Sequence, residues 1–405
     1  SCYLVFGSLY SPRISNLKFR ICILFGSCYL VLGSLVLGSL YSPGFRIFSF
    51  GFAFCGLFLG SLYSMYIHQH SCISPQQTFK HAAVETLHES ADNKLKAKEP
   101  VYDGIPPGIL RRMGKAVRMG IGAAIPIIKQ QSIDGIIIGT ANGGMEDCIK
   151  FLNQIIDYEE GMLTPGNFVQ STPNAIAAQM GLLNKNKGYN ITHVHRGLAF
   201  ENALLDAMMM IKENPGNNYL LGAVDEISDY NYNIDLLDGC FKKEKISNKA
   251  LYSSISDGTI AGEGAAMFVV NDHAENAAAA VKAMQTIHTR DETEVKLALQ
   301  QFIQQNLPHG EKTDMLLTGE NGDARLLKYY AAAESLFDEH STVARFKHIC
   351  GEYPTASSVA LWLVCNSHHW PAHLIKKQST DTTIRNIIIY NNYRGLQHGF
   401  MHIVI

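Results

Sequence analysis

The stretch Ile133–Gly139 holds three consecutive isoleucines and runs directly into the glycine turn Thr140-Ala-Asn-Gly-Gly144. A β-branched run that is apolar on both faces fits a strand covered on both sides, the condition of a parallel sheet. The segments around it agree. Met113, Val117, Ile121, Ile125 and Ile128 recur with helical period within 111–131. Helices are further expected at 145–160, 174–183, 199–212, 291–306 and 323–338, the second of these opened by Ser171, Thr172 and Pro173 as cap and first-turn residues. Strands are expected at 190–195, 219–224, 264–270, 314–318, 386–390 and 400–405, whereas 65–96 reads as polar and helix-prone. Strands alternating with helices make this an α/β chain with a buried, largely parallel sheet.

Charge narrows the function. The 405 residues carry 34 Lys plus Arg against 36 Asp plus Glu, a net charge of −2. A nucleic-acid binder would show a basic domain or stripe, and none is present. Only 17% of the chain is charged, below the roughly 25% of an ordinary soluble domain, and the deficit is local. Residues 1–64 hold just Arg13, Lys18, Arg20 and Arg46. Disorder and collagen-like structure are excluded by 47% hydrophobic residues and the lack of a glycine period. Nine cysteines are present, with no C-x-x-C spacing among those of the body (Cys72, Cys148, Cys240, Cys350, Cys365). Neither a zinc site nor a disulfide framework follows, and a reducing, cytoplasmic compartment is expected.

Residues 1–64 repeat a short unit: Phe6-Gly-Ser-Leu-Tyr10, Phe25-Gly-Ser-Cys-Tyr29, Leu37-Gly-Ser-Leu-Tyr41 and Leu59-Gly-Ser-Leu-Tyr63. Runs 21–45 and 47–66, interrupted by Arg46, are long enough to cross a bilayer, which takes about 20 apolar residues. One reading is a two-pass anchor or uncleaved signal; the other is a translated tandem repeat ahead of a true start at Met65. The near-identical repeats, the opening on Ser and the ordinary sequence after Met65 favour the second, so fold reasoning sets 1–64 aside.

The segment 191–207 reads as strand, tight turn and helix. A residue on such a turn projects from a helix N-terminus, where the dipole favours negative charge, and nucleophilic Ser or Cys residues are placed there. This turn instead holds His195, Arg196 and Gly197. His193 and His195 alternate along the strand, but no third ligand sits at a metal-site spacing, so a structural His pair is expected and no metal. Cys148 and Cys350 read as small buried side chains. The histidines of the tail (His368, His369, His373, His398, His402) read as surface and interface chemistry.

From about Lys98 onward the chain resembles the β-ketoacyl synthases of the thiolase-like superfamily. Six blocks match in order: Ser171-Thr-Pro-Asn174 with Ala178-Gln-Met-Gly-Leu182; the elbow 191–207; Tyr219-Leu-Leu-Gly-Ala-Val-Asp-Glu226; Ser256-Asp-Gly-Thr-Ile-Ala-Gly-Glu-Gly-Ala-Ala266; Thr318-Gly-Glu-Asn-Gly-Asp323; and Phe346-Lys-His-Ile-Cys-Gly-Glu352. The fourth, with Asp257, Gly258, Gly262, Glu263 and Gly264, resembles the family's D-G-x-x-x-G-E-G-A signature and is the most specific. The resemblance implies two similar α/β halves in a five-layered αβαβα architecture, each half with its own mixed sheet: an N-terminal half at 65–270 and a shortened C-terminal half at 271–405.

It also implies a catalytic set that this chain lacks. Enzymes of the family use a Cys nucleophile and two His residues. The nucleophile falls at Gly197, or at Arg196 if the following loop carries no insertion. The first His falls at Thr318, ahead of Asp323, and the second at Glu352, five residues after Lys347. Losing the nucleophile alone should abolish condensation. In the family fold Arg196 and Glu352 would face one another, and a bidentate ion pair would plug the pocket, unless the turn sends Arg196 to solvent. The expected function is a catalytically silent, chain-length-factor-like subunit, similar to those of polyene-type type II polyketide or fatty-acid-like systems. It would pair with an active ketosynthase in a heterodimer, or with a second copy of itself, and meet an acyl carrier protein bearing a phosphopantetheine-linked chain. No cofactor is implied. The alternative is an active β-ketoacyl synthase or acyltransferase with non-standard catalytic residues.

Overall fold

The computed structural model of the chain describes residues 64–79, 84–307, 311–366, 369–380 and 383–405, with 24–25 and 28–29. Two compact units separate at Cys55/Gly56. In the first, Leu24–Phe25 pairs antiparallel with Cys28–Tyr29. The expectations for the repeats otherwise fall outside the described residues.

In the second unit the main strands are β1 (Met65–Ile73), β2 (Gly135–Gly139), β3 (Tyr189–His193), β4 (Tyr219–Asp225), β5 (Gly264–Asn271), β6 (Ala279–His288), β7 (Met315–Thr318), β8 (Thr342–Arg345), β9 (Ile375–Lys377), β10 (Asn386–Tyr393) and β11 (Gln397–Val404). The helices that matter are α1 (Lys115–Ile128), α2 (Met145–Asp157), α3 (Pro165–Gln170), α4 (Ala175–Leu183), α5 (Ala199–Glu213), α6 (Asp229–Leu237), α7 (Glu292–Asn306), α8 (Leu327–Glu334), α9 (Lys347–Cys350) and α10 (Ser357–Asn366).

The strand order is β9-β8-β7-β10-β11-β6-β1-β5-β4-β2-β3. Read outward from β1, one half runs β1-β5-β4-β2-β3; read outward from β6, the other runs β6-β11-β10-β7-β8, with β9 added at its edge. Directions match as well. The outer three strands of each set are parallel, and the next two contacts inward are antiparallel. The two sets are not separate sheets, as the sequence suggests. Ala279–Val281 of β6 pairs with Met65–Ile67 of β1, so hydrogen bonding runs through from one to the other.

Burial shows the layers. Ile136, Ile138, Leu220, Val224, Met267 and Val269 pack under α1 and α4. The alternate residues of the same strands face α5 and α10, and so do Met315, Leu317, Ile387 and Ile389 of the other half. Leu316, Ile388, Tyr390 and Phe400 face α7 and α8. The result is helix, sheet, helix, sheet, helix.

The largest departure is β1. Its sequence, Met65-Tyr-Ile-His-Gln-His-Ser-Cys-Ile73, looks polar, yet it lies mid-sheet between β5 and β6. Its polar side chains find partners there. His68 bonds the Asn271 side chain at 2.7 Å, and the Asn366 amide donates to His70 at 3.2 Å. Tertiary pairing overrides local pattern. Among the described residues no helix is long and apolar enough to cross a membrane.

Candidate functional site

Two of three loops at the strand ends line one cavity of about 500 Å³, whose lining includes Asp225, Asn321, Asp323, Glu352, Tyr393 and Arg394. The first loop lies behind it. After β3 ends at His193, a single 3-10 turn (Arg196–Leu198) leads into α5. Arg196 sits at the apex in the left-handed region (φ 49°) with its side chain exposed. That conformation is costly for a non-glycine residue. Gly197 is buried, and its N–H donates to Gln397 Oε1 at 3.0 Å. A Cβ on Gly197 would lie 2.2 Å from Cβ and 2.3 Å from Cγ of Tyr393. The ring of Tyr393 therefore occupies the space a side chain at 197 would need.

The second loop follows β7. Thr318 is fully buried, and its hydroxyl has no hydrogen-bond partner. Asn321 is held by Thr259, whose hydroxyl donates to its carbonyl at 2.5 Å. Asp323 caps the next turn, accepting from the Arg325 N–H at 3.0 Å and from the Arg325 guanidinium at 2.6 and 2.9 Å.

The third loop turns through α9. Lys347 is wholly buried, and its ammonium donates to Glu352 Oε1 at 2.6 Å; Asn321 Nδ2 donates to Oε2 at 2.8 Å. Between them Gly351 adopts φ 74°, and a Cβ there would stand 2.5 Å from the Cα of Gly262. Only glycine permits both the angle and the approach. The block around Asp257 thus does its work at the junction of the halves: Gly258 turns at φ 84°, Gly262 meets Gly351, and Gly264 opens β5. Buried Glu263 accepts from Ala97 N–H at 2.8 Å and Ile227 N–H at 2.9 Å, and pairs with Lys115.

The expected Arg196–Glu352 pair is absent. Glu352 is claimed by Lys347 and Asn321, and the left-handed turn at Arg196 carries its side chain into solvent. A buried lysine needs a counter-charge more urgently than an arginine free to reach water.

A family model described as "Beta-ketoacyl synthase, N-terminal domain" matches residues 73–312. The chain belongs to the β-ketoacyl synthase family. Solved structures agree in fold. A β-ketoacyl synthase from Burkholderia phymatum STM815 is 13% identical, with a TM-score of 0.67 over 85% of this chain and 100% of that one. A structure of the ketosynthase ApeO in complex with its chain length factor ApeC, from Xenorhabdus doucetiae, is 11% identical, with a TM-score of 0.67 over 85% and 98%. A type II polyketide synthase acyl-carrier protein in complex with its ketosynthase, AntDE:AntF, is 13% identical, with a TM-score of 0.63 over 84% and 99%. Among curated proteins no sequence relative matches.

Among the described residues, Cys148, Cys350 and the histidines singled out from the sequence lie outside the cavity lining. Cys350 is fully buried and burial pushes its thiol upward, away from the thiolate a nucleophile requires. Cys148 sits in the first turn of α2, outside the cavity. His193 pairs with Asp206 at 2.9 Å, while His195 lies beyond the end of β3 with its side chain exposed, so the two do not form a ligand pair. Of the tail histidines, His369 is exposed and His368 lies outside the described residues, but His398 and His402 are less superficial than their pattern suggests. His398 is buried between the Tyr390 hydroxyl and the Thr289 carbonyl, each 3.0 Å away, and His402 is buried on the same strand, beside Asn386. Desolvation holds both imidazoles down at about 4.

Sequence reasoning missed Tyr393, Asn321 and Glu201. The opposite charges five residues apart at Lys347 and Glu352 were a usable signal for the pair, but nothing local marks Glu201. Its carboxyl group is fully buried on α5 beside the Ser357 hydroxyl, the Asn391 amide and Lys347, and among the described residues neither oxygen meets a close, well-aligned hydrogen bond. Burial pushes it up to about 7.

Proposed function

We propose that this chain is a catalytically silent member of its family that acts as a chain-length-factor-like partner of an active ketosynthase in a type II polyketide or fatty-acid-like system. The observation that carries this reading is the elbow. Arg196 stands at its apex facing solvent, and Gly197 beside it has no room for a side chain because of Tyr393. Arg196, Gly197, Thr318 and Glu352 then mark the lost nucleophile and histidines. In place of a reactive group the third loop presents a carboxylate neutralised by a buried ammonium. Neither can accept an acyl chain or polarise a thioester toward decarboxylation.

Partnering is supported by similarity to structures described as a ketosynthase with its chain length factor and as a ketosynthase with an acyl-carrier protein. It is also supported by the surface. Strand β3 ends the sheet and has only one neighbour among the described residues. Exposed Ile156, Met162, Phe168, Leu182 and Val194 lie on α2 to α4, their connections and the end of β3. An open edge beside apolar side chains is a common setting for strand addition by a second chain. The partner subunit would supply the nucleophile, and the carrier protein would deliver the acyl chain on its phosphopantetheine arm.

The test is incubation with acyl- and malonyl-loaded carrier protein, alone and with a co-expressed active ketosynthase, followed by intact mass. No acyl mass should appear on this chain in either case, and condensation product should form only with the partner. An acyl adduct on this chain, or product without the partner, would overturn the reading and favour an active enzyme with a substitute nucleophile.

A further inference from the structure

A chain of side-chain hydrogen bonds lies on the far side of α9 from Glu352. Tyr252, in the 3-10 turn Asn248–Ser253, is 3.1 Å from His348 Nδ1; His348 Nε2 is 2.9 Å from His373 Nδ1; and His373 Nε2 is 2.6 Å from the Val84 carbonyl. The protons in this chain are fixed by its end. A carbonyl only accepts, so His373 Nε2 carries the hydrogen and Nδ1 is the bare acceptor. His348 must therefore donate from Nε2, which leaves its own Nδ1 bare to accept from the Tyr252 hydroxyl. Each ring is neutral, and each lone pair is used.

His348 has no free lone pair for an added proton: at Nδ1 it would be set against the Tyr252 O–H, and Nε2 already carries the hydrogen given to His373 Nδ1. The surroundings oppose the charge too. The Arg345 guanidinium on β8 stacks on the Tyr252 ring at 3.8 Å, balanced by Glu320, which also binds Lys376. Lys347 and Cys350 are on α9 itself, and the His88 carbonyl shares the Asn248 amide with the carbonyl of His348. Among the described residues no hydrogen bond or ion pair joins a carboxylate to either ring. Burial of His348, with His373 and Arg345 nearby, holds its imidazole down at about 3.

We propose that the Tyr252–His348–His373–Val84 chain is a pH-sensitive clasp that keeps α9, and with it the Lys347 ammonium, in place near neutral pH and lets go as the solution acidifies. The clasp ties together four separate segments of chain. His348 is adjacent to Lys347, so release of the rings frees the helix that positions the counter-ion of Glu352. Acid thus loosens the cavity wall by local opening.

The sign follows from the rings. His348 remains unprotonated when the clasp is closed, held down by its burial, whereas an exposed His takes up a proton near pH 6.5. Opening therefore becomes easier as pH falls below about 6.5, by up to tenfold per pH unit for each proton gained. Hydrogen–deuterium exchange of the full chain at pH 7.5 and 5.0, corrected for intrinsic rates, reads this directly. Protection of peptides covering 346–353 and 371–377 should fall by roughly tenfold or more at the lower pH, well ahead of peptides in β2 and β4. His348→Gln keeps an amide donor toward His373 Nδ1 and an acceptor for the Tyr252 hydroxyl without a titrating ring, and should cut that fall to about twofold. Tyr252→Phe leaves His348 Nδ1 open to a proton, and should move the loss of protection to higher pH. Equal protection of 346–353 at both pH values in the wild type would overturn the proposal. So would a His348→Gln protein that loses protection as the wild type does, or a Tyr252→Phe protein with an unmoved midpoint.

Discussion

Lys347 and Glu352 stabilise one another in a place where neither could stand alone. Lys347 has no exposed surface, and Glu352 holds it at 2.6 Å while accepting a second hydrogen bond from Asn321. Glu352→Ala leaves a buried ammonium unpaired and should cost about 3–5 kcal/mol in denaturant unfolding. Glu352→Gln keeps an acceptor for Lys347 and should cost visibly less; equal losses for the two variants would show that charge is irrelevant here. Glu201 presents the opposite case, an acid whose burial outweighs the help of Ser357, Asn391 and Lys347 beside it. Its carboxyl is pushed up to about 7 from an ordinary 4.5. Between those values the folded chain holds a proton that the unfolded chain has lost, so this group's contribution to stability declines as pH rises from 4.5 to 7. Glu201→Gln should remove that decline. The variant should match the wild type near pH 4.5 and exceed it by about 3 kcal/mol above pH 7, read from unfolding at several pH values. A difference independent of pH would mean that Glu201 does not titrate in this range.

At the scale of elements, what the sequence made legible was whatever carried its own period or punctuation. Strands β2, β4 and β5 are uninterrupted apolar runs, and all three are buried along their whole length. The helices α1, α5 and α7 were readable from apolar spacing. Strand β6 was not, because Ala279-Ala-Val-Lys-Ala-Met-Gln-Thr-Ile-His288 is rich in residues that favour helix, and only pairing with β1 and β11 makes it a strand. The same is true of β1. Helix α10 is buried on every side, so it shows no amphipathic stripe to find. The site divides in the same manner. Glycines with a fixed task, such as Gly258 and Gly262, stood out in one short block, and the family resemblance located Arg196, Gly197, Thr318 and Glu352. The identity of the partner of Glu352 depended on how far the turn at Arg196 rotates. Tyr393 comes from 196 residues further along the chain, where no local pattern connects it to Gly197. Helix α6, at the mouth of the cavity, buries none of its residues and is tied down by Lys94 to Asp229 and by Arg394 to Asp235 and Asp238. Ionic ties without burial hold an element weakly, so the cavity has one stiff wall at α9 and one soft wall at α6.

The molecule as a whole is a repeated scaffold, and on the proposed reading of a silent subunit its surface matters as much as its cavity. The duplicated strand order leaves β3 and β9 at the two ends of the sheet. Among the described residues only the β3 end is flanked by a run of exposed apolar side chains. Phe168 on α3 stacks near Phe151 of α2, and β3 is fastened to α4 by the Asn190 amide donating to the Ala177 carbonyl at 2.9 Å, so these elements form one continuous support. Phe168 is 60% exposed and Val194 52% exposed, which means that changing them removes little from the folded core. Replacing both with Glu should therefore leave the melting temperature within about 2 °C of the wild type, as surface substitutions do. Two charges placed in a desolvated contact are a different matter, each costing several kcal/mol unless paired. Co-expressed with an active ketosynthase, the double variant should lose co-purification and the condensation activity of the pair together. A second double variant on the opposite face, Leu297→Glu with Leu327→Glu on α7 and α8, exposes its side chains to a similar degree and should retain both. Capture of the ketosynthase by the β3-face variant at the wild-type level would place the contact elsewhere, and loss of capture by the α7–α8 variant alone would assign it to that face.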